Sequence, residues 1–214
     1  MGFKRLLIGD KMEHYYTKET KSKSNIKKVT IKIKNIVLEL LTDNGVFSKK
    51  GLDFGTRCLL ENLSDIKGDV LDIGCGYGPI GIYVAKRYNA KVTMSDINQR
   101  AISLAKKNTY LNKVDCEVIQ SDMYENIIGS YDHIITNPPI RIGKEKLFYL
   151  LKEAKQYLKP NGNLWLVVNK NQGAKSLVKE LEKDYLVQII DKNKGFYIIL
   201  ARNCWHLDYL LLEL

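Results

Sequence analysis

The sequence predicts an α/β protein, a mostly parallel sheet with helices on both faces that ends in an antiparallel hairpin. Three observations carry this reading. Five short apolar runs alternate with five helical patterns, glycines cluster where the first buried run meets a helix, and "LVQIIDKNKGFYIILA" splits at "KNKG" into two strands. Strands separated by helices need right-handed crossovers, and hence a parallel sheet.

The elements follow in order. "KKVTIKIKNIVLELL", Lys27 to Leu41, alternates apolar and polar residues in its first half and is punctuated by Asn44-Gly45, which reads as a small basic hairpin or strand layer. "DFGTRCLLENL" opens a helix at Asp53 with Cys58, Leu59, Leu60 and Leu63 on one side. "DVLDIG" is a buried strand and "PIGIYVAKRY" its helix; "KVTMSD" and "NQRAISLAKKNTYLN" repeat the unit. "CEVIQSD" and "YDHIIT" are further strands, and "KEKLFYLLKEAKQYLKPNG" reads as a helix closed by Pro160 and Gly162. "NLWLVVN" is the fifth strand and "GAKSLVKELEKDY" the fifth helix before the terminal hairpin, which brings the sheet to seven strands. The divisions expected are a basic extension and hairpin over 1–50, an α/β domain over 51–202 and an apolar tail over 203–214. For the tail, packing against the domain is favoured over a dimer contact. Met12 opens "MEHYY", so the first eleven residues read as an upstream extension.

Composition bounds the function. Apolar residues are 45% of the 214 and charged residues 27%, a globular balance without a membrane span. The net charge of +10 is uneven: residues 1–50 carry 12 Lys/Arg against 5 Asp/Glu, the other 164 carry 22 against 19. That fits either a solvated Lys-rich surface or an anionic partner such as RNA. Cys58, Cys75, Cys116 and Cys204 show no paired spacing, which argues against a structural metal or a disulfide framework and for a reducing cytoplasm; no metal is expected. The apolar core of "MGFKRLLIGD" is too short for a signal peptide.

"VLDIGCGYGPIG" places Gly74, Gly76 and Gly78 between the first buried strand and its helix, where glycines permit a tight turn and let a ligand lie against the main chain. Gly76, Gly78 and Gly81 also match a dinucleotide spacing, which alone is weak. Asp96 ends the second strand, where a carboxylate can accept both hydroxyls of an adenosine ribose. Asp72, two residues before the first glycine, would repel a pyrophosphate but attract a sulfonium and an ammonium, so charge favours S-adenosylmethionine. Asp122, ending the third strand, is placed to reach an adenine amine, with Met123 beside it. Singly each acid reads as a cap or turn residue.

The fourth strand runs into Asn137-Pro138-Pro139-Ile140 at the same carboxyl edge. The prolines hold Asn137 extended and still. Its amide oxygen and the Pro138 carbonyl can accept the two hydrogens of an exocyclic NH2, drawing the nitrogen toward tetrahedral geometry for methylation. No strong base is needed, and none is evident: His133 lies within a strand and reads as core.

"LDIGCGYGPIG", "SDIN", "SDMYE", "TNPPIRIGK" and "NKNQGAKS", preceded by "DNGVFSKKGLDFGTR", resemble the methyltransferase small-domain family of class I S-adenosylmethionine enzymes. The likeness runs from about "EHYY" to "FYIILA" and implies a Rossmann-like fold and a reaction of guanine-N2 methylation in ribosomal RNA, most of all the 16S RNA of the small subunit. It implies donor contacts from Asp72, Gly74, Gly76, Gly78, Asp96, Ile97, Asp122 and Met123, and target contacts from Asn137 and Pro138. Phe47, Phe54 and Thr56 would neighbour the methionine end. Ile140 stands where the family's RNA enzymes usually carry an aromatic that stacks on the flipped base, a contact of roughly 1–3 kcal/mol. Lys28, Lys32 and Lys34, with Arg141, Lys144 and Lys146, are the candidate phosphate contacts. Alternatives are adenine N6 or protein glutamine as acceptor, a dinucleotide-dependent oxidoreductase, and a non-catalytic RNA-binding relative.

Overall fold

The computed structural model describes residues 23–48, 51–139 and 142–204. A hairpin of β1 (Lys27–Ile33) and β2 (Ile36–Thr42) is followed by α1 (Phe54–Asn62), β3 (Asp69–Ile73), α2 (Pro79–Tyr88), β4 (Lys91–Asp96) and α3 (Gln99–Asn112). β5 (Cys116–Gln120), β6 (Tyr131–Thr136), α4 (Lys144–Tyr157), β7 (Leu158–Asn169), α5 (Ala174–Leu181), β8 (Leu186–Asn193) and β9 (Phe196–Arg202) complete the chain.

Seven strands form one sheet in the order β5-β4-β3-β6-β7-β9-β8. The first five are parallel, and β9 runs antiparallel to both of its neighbours. Strand alternation divides the core in two. Val70, Ile135, Trp165, Val167 and Ile198 pack with α1, α2, α3 and the hairpin. Leu71, Ile134, Leu164, Leu166 and Ile199 face the other way, onto α4 and α5.

Helix starts are fixed by local chemistry. Asp53 caps α1 by accepting the Thr56 N–H at 3.1 Å, Asn98 caps α3 through Arg100 N–H at 2.9 Å, and Pro79 opens α2 behind a left-handed Gly78. Because β3 and β4 end where α2 and α3 begin, the starts of those helices gather along the carboxyl edge of the sheet, and Asp53 at the start of α1 joins them there beside Asn137.

The N-terminal hairpin is not a loose appendage. Ile31, Ile33, Leu38 and Leu40 belong to the same core as α1 to α3. Two buried asparagines one helical turn apart on α3 complete the free edge of β2. Asn108 accepts the Leu41 N–H at 2.7 Å and donates to the Leu41 carbonyl at 2.9 Å; Asn112 does the same for Glu39 at 3.0 and 2.7 Å. The Asn108 amide also donates to the Tyr77 carbonyl at 2.8 Å, so one side chain joins the hairpin to the loop after β3.

Three expectations change. "KPNG" does not close α4, which ends at Tyr157; Pro160 and Gly162 lie inside β7, which starts at Leu158. The residues form a bulge rather than a turn: β6 register jumps from Tyr131↔Leu158 to His133↔Asn163, and Asn161 takes a φ of 61°. Asn203 holds the bulge by exchanging backbone bonds with Asn161 and Gly162 at 3.0 and 2.8 Å, while Lys159 reaches Asp69 and Asp132 at 2.7 and 2.8 Å. The fifth helix stops at Leu181, four residues before the expected end, and a 3-10 turn over Lys170–Gln172 precedes it. Finally, β5 ends at Gln120, so Asp122 lies two residues beyond its strand. Among the described residues no helix is long and apolar enough to cross a membrane.

The asparagine clamp is testable by thermal unfolding. Asn108→Ala leaves three backbone groups without their partner, at about 1–3 kcal/mol for each one that stays buried. A midpoint lowered by at least about 4 °C is expected, against no change for Lys106→Ala on the solvent side of the same helix.

Candidate functional site

Along the carboxyl edge of β3, β4, β5, β6 and β7 opens a cavity of about 580 Å³, within the usual range for ligand sites. Its two halves come from different strands. Gly74, Gly76, Asp96, Ile97, Asp122 and Met123 line the half belonging to β3, β4 and β5. Asn137, Pro138, Asn169, Gln172, Phe54 and Phe196 line the half belonging to β6, β7 and β9.

The glycine loop is held open from beneath. The N–H groups of Gly74 and Cys75 both donate to the Ser95 carbonyl at 2.9 Å, and the Gly76 N–H donates to Asp96 Oδ2 at 2.8 Å. Gly74 and Gly76 have φ of 72° and 57°, and a Cβ at either would meet nothing within 4 Å, so their bare backbone faces space. Gly81 differs: a Cβ there would come within 2.4 Å of Met94 Sδ, so its need is helix-on-strand packing.

Asp96 lines the cavity with its carboxylate shared between Gly76 and the Asn98 N–H, the latter at 2.8 Å; burial raises its pKa in spite of these bonds. Asp72 does not reach the cavity wall, contrary to the expectation that it faces a ligand at the strand mouth. As the penultimate residue of β3 it points to the α2 face, where it is fully buried, and its Oδ2 accepts the Gly81 N–H at 2.8 Å. Its Oδ1 has no hydrogen-bond partner among the described residues. Burial, reinforced by the nearby Asp96 charge, pushes the Asp72 carboxyl up to about 7. One fully buried acid and one partly buried acid therefore lie at the glycine loop, and no cation among the described residues lowers the pKa of either.

In the other half, Asn137 is oriented by α1. Its amide nitrogen donates to Thr56 Oγ1 at 2.9 Å, and that hydroxyl donates in turn to Asp53 Oδ2 at 2.5 Å. A hydroxyl committed to a carboxylate can only accept from the amide, so the relay leaves the Asn137 oxygen as the acceptor for a ligand. Thr56 is thus buried as a positioning group while it also lines the cavity. Phe54 packs against Phe196 with ring centroids 5.7 Å apart. Phe47, half exposed, lies on the segment that follows β2, which Asn98 and Tyr77 pin by donating to the Gly45 and Gly51 carbonyls, both at 3.1 Å.

The candidate cations separate. Lys146 lines the cavity, whereas Lys144 stands 5.2 Å over the Phe148 ring. Lys28, Lys32 and Lys34 are exposed along the hairpin, whose turn meets Arg87 at the far end of α2 from the cavity. Lys28 pairs with Glu39 at 2.5 Å. Ile140 and Arg141 lie outside the described residues. His133 is buried and accepts the Lys67 N–H at 3.4 Å, with burial lowering its pKa.

Sequence reasoning missed Asp53, Tyr77, Asn98, Asn169, Gln172 and Phe196 as part of this site. Asp53 and Asn98 carried a cap signal, while Asn169 and Gln172 carried a capping box at N-x-x-Q that was not separated from the helix after it.

Comparison with known proteins agrees with this architecture. The family model described as "Methyltransferase small domain" matches residues 37–200. The uncharacterized protein YbxB of Bacillus subtilis is 38% identical over 197 residues, which cover 89% of this chain and 98% of its own. Ribosomal RNA small subunit methyltransferase C of Haemophilus influenzae is 38% identical over 165 residues, 74% of this chain but 49% of that enzyme; this chain spans about half the length of such relatives. Among solved structures, a T. thermophilus 16S rRNA N2 methyltransferase in complex with AdoMet and guanosine matches with a TM-score of 0.76 at 23% identity, over 83% of this chain and 50% of that one. A methyltransferase from Pyrococcus furiosus matches with a TM-score of 0.64 at 22% identity, over 70% and 81%. These two likenesses speak for the fold alone. By its family match, its Bacillus subtilis relative and the order of its motifs, the chain belongs to the methyltransferase small domain family.

Proposed function

We propose that the protein is a cytoplasmic S-adenosylmethionine-dependent methyltransferase acting on an exocyclic amine in RNA, namely guanine N2 of the small-subunit ribosomal RNA. The observation that carries it is the relay from Asp53 through Thr56 to Asn137, which turns an amide oxygen to the cavity beside a strand-end glycine loop.

The residues present fit the donor. Gly74 and Gly76 offer bare backbone to a ligand, and Asp96 and Asp122 on the cavity wall, with Asp72 buried beneath the loop, suit a cationic molecule better than a pyrophosphate. When bound, S-adenosylmethionine supplies an electrophilic methyl on a sulfonium: the amine nitrogen forms a bond to that carbon as the carbon–sulfur bond breaks and its electron pair returns to sulfur. The Asn137 oxygen and the Pro138 carbonyl accept the two amine hydrogens, hold the lone pair in line and stabilise the positive charge that grows on nitrogen. The proton leaves to water after the new bond has formed. The apolar wall of Ile142 and Leu150 limits solvent there, and Lys146 at the same wall suits a backbone phosphate. The exposed hairpin lysines add salt-sensitive affinity away from the reacting groups.

Three measurements test this reading. Calorimetry with S-adenosylmethionine is expected to show binding that Asp96→Ala weakens at least about tenfold, about 1.4 kcal/mol. Absence of binding to the wild type would end the proposal.

Because burial lifts Asp72 from 3.8 to about 7, its contribution to folding stability is full below the unfolded value and is lost as pH climbs through about 7. Asp72→Asn should flatten that slope in thermal scans. A cationic donor prefers the ionised carboxylate, so donor affinity in the wild type is expected to rise over the same window, and less so in Asp72→Asn.

With labelled donor, 30S subunits or naked ribosomal RNA are the expected acceptors, and label in cell protein or DNA alone would refute the RNA assignment. On the labelled acceptor, Asn137→Ala should lower the rate at least about 100-fold while donor affinity stays within about twofold, and Thr56→Val should give a smaller loss of the same kind.

A further inference from the structure

The half of the cavity beyond Asn137 has a chemistry of its own, whose meaning for an acceptor rests on the methyltransferase reading. Donor-side residues hang from β3, β4 and β5, and Asn137 follows β6 next to them. On the side away from Asp96 the wall passes to the end of β7 and the start of β9, where Asn169 and Phe196 are register partners.

Asn169 and Gln172 form the capping box of the 3-10 turn. Asn169 Oδ1 accepts the Asn171 N–H at 3.0 Å, and Gln172 Oε1 accepts the Asn169 N–H at 3.3 Å. Both amide oxygens are engaged within the turn, and what each side chain keeps for the cavity is an NH2 group, a donor. Beside them Phe196 lies against the first turn of α1. It packs so closely that a Cβ at Gly55 would come within 2.8 Å of its ring, and it reaches Phe54. Two exposed cations stand at the same hairpin: Lys194 Nζ is 4.9 Å over the Phe54 ring, and the Lys170 stem runs past Gly195.

We propose that Asn169, Gln172 and Phe196 form the subsite that selects the acceptor base. Phe196, with Phe54, supplies a ring face, the surface that position 140 lacks because it is isoleucine. The two NH2 groups donate to adjacent acceptors on the base edge remote from Asn137. Guanine with its N2 amine at Asn137 offers such a pair, O6 and N7. Adenine with its N6 amine there keeps no adjacent pair, and a glutamine side chain has no ring face. Lys170 and Lys194 take the phosphates of the extruded nucleotide.

The test uses guanosine and adenosine monophosphates as probes, titrated by NMR into the full chain saturated with S-adenosylhomocysteine. Asn169→Asp and Gln172→Glu keep the capping oxygens and exchange each NH2 group for a carboxylate oxygen, so the turn survives while the donor is lost and a negative charge is added. An equal loss for adenosine monophosphate would report the charge alone and overturn the subsite. Guanosine monophosphate is expected to bind the wild type at least about tenfold more tightly than the adenosine nucleotide, with about tenfold loss in either variant. Phe196→Leu should weaken both nucleotides alike, and S-adenosylhomocysteine affinity should be unchanged in all three variants. Equal binding of guanosine monophosphate to wild type and both amide variants, a preference for the adenosine nucleotide, or no guanosine nucleotide binding to saturated wild type would overturn the subsite. Failure of S-adenosylhomocysteine to bind the wild type would instead overturn the methyltransferase reading, and the subsite with it.

Discussion

A single hydroxyl decides what this site can do. Thr56 Oγ1 lies between a carboxylate and an amide, donating to Asp53 and accepting from Asn137. Rotated the other way, the amide would present its nitrogen to the cavity and repel an incoming amine. The helix cap at Asp53 therefore does two things with one side chain: it satisfies the first turn of α1 and sets the polarity of a group 84 residues away in the chain. The relay works only because α1 begins at the carboxyl edge of β6, a placement that follows from the parallel sheet.

The donor half obeys a complementary logic. Burial raises the pKa of both Asp72 and Asp96, and the Asp96 charge adds to the rise at Asp72, while backbone N–H groups from Gly81, Gly76 and Asn98 offset part of that cost. Such an arrangement is short of positive charge until a ligand brings some. The loop that would receive it is rigid beneath, through the shared Ser95 carbonyl, and bare above, where Gly74 and Gly76 lack side chains.

Much of this was legible in the residues. β4 and α2 begin and end where the text says, because a left-handed Gly78, Pro79 and a left-handed Asn89 punctuate them locally. Asn137 and the glycine loop were legible for the same reason: their chemistry is written in contiguous letters. What was hidden depends on long-range pairing. "KPNG" carries turn residues, yet its conformation is decided by β6 on one side and Asn203 on the other. Asp72 looked like a strand-end acid, but the pleat of β3 turns it under α2. Nothing in the neighbouring letters marks Asn108 and Asn112, since their backbone partners lie 67 and 73 residues away.

The shared side chain of Asn108 joins two parts of the molecule that lie apart in the chain. Its amide holds β2 with two bonds and the Tyr77 carbonyl with a third, so a loss of this side chain removes a support from the hairpin and from the glycine loop together. Order gained at one is order kept at the other, in the manner of a single cooperative unit. A basic layer at the molecular rim is in this way mechanically continuous with the floor of the cavity, and a load placed on the outer strand is felt at the main chain of Tyr77.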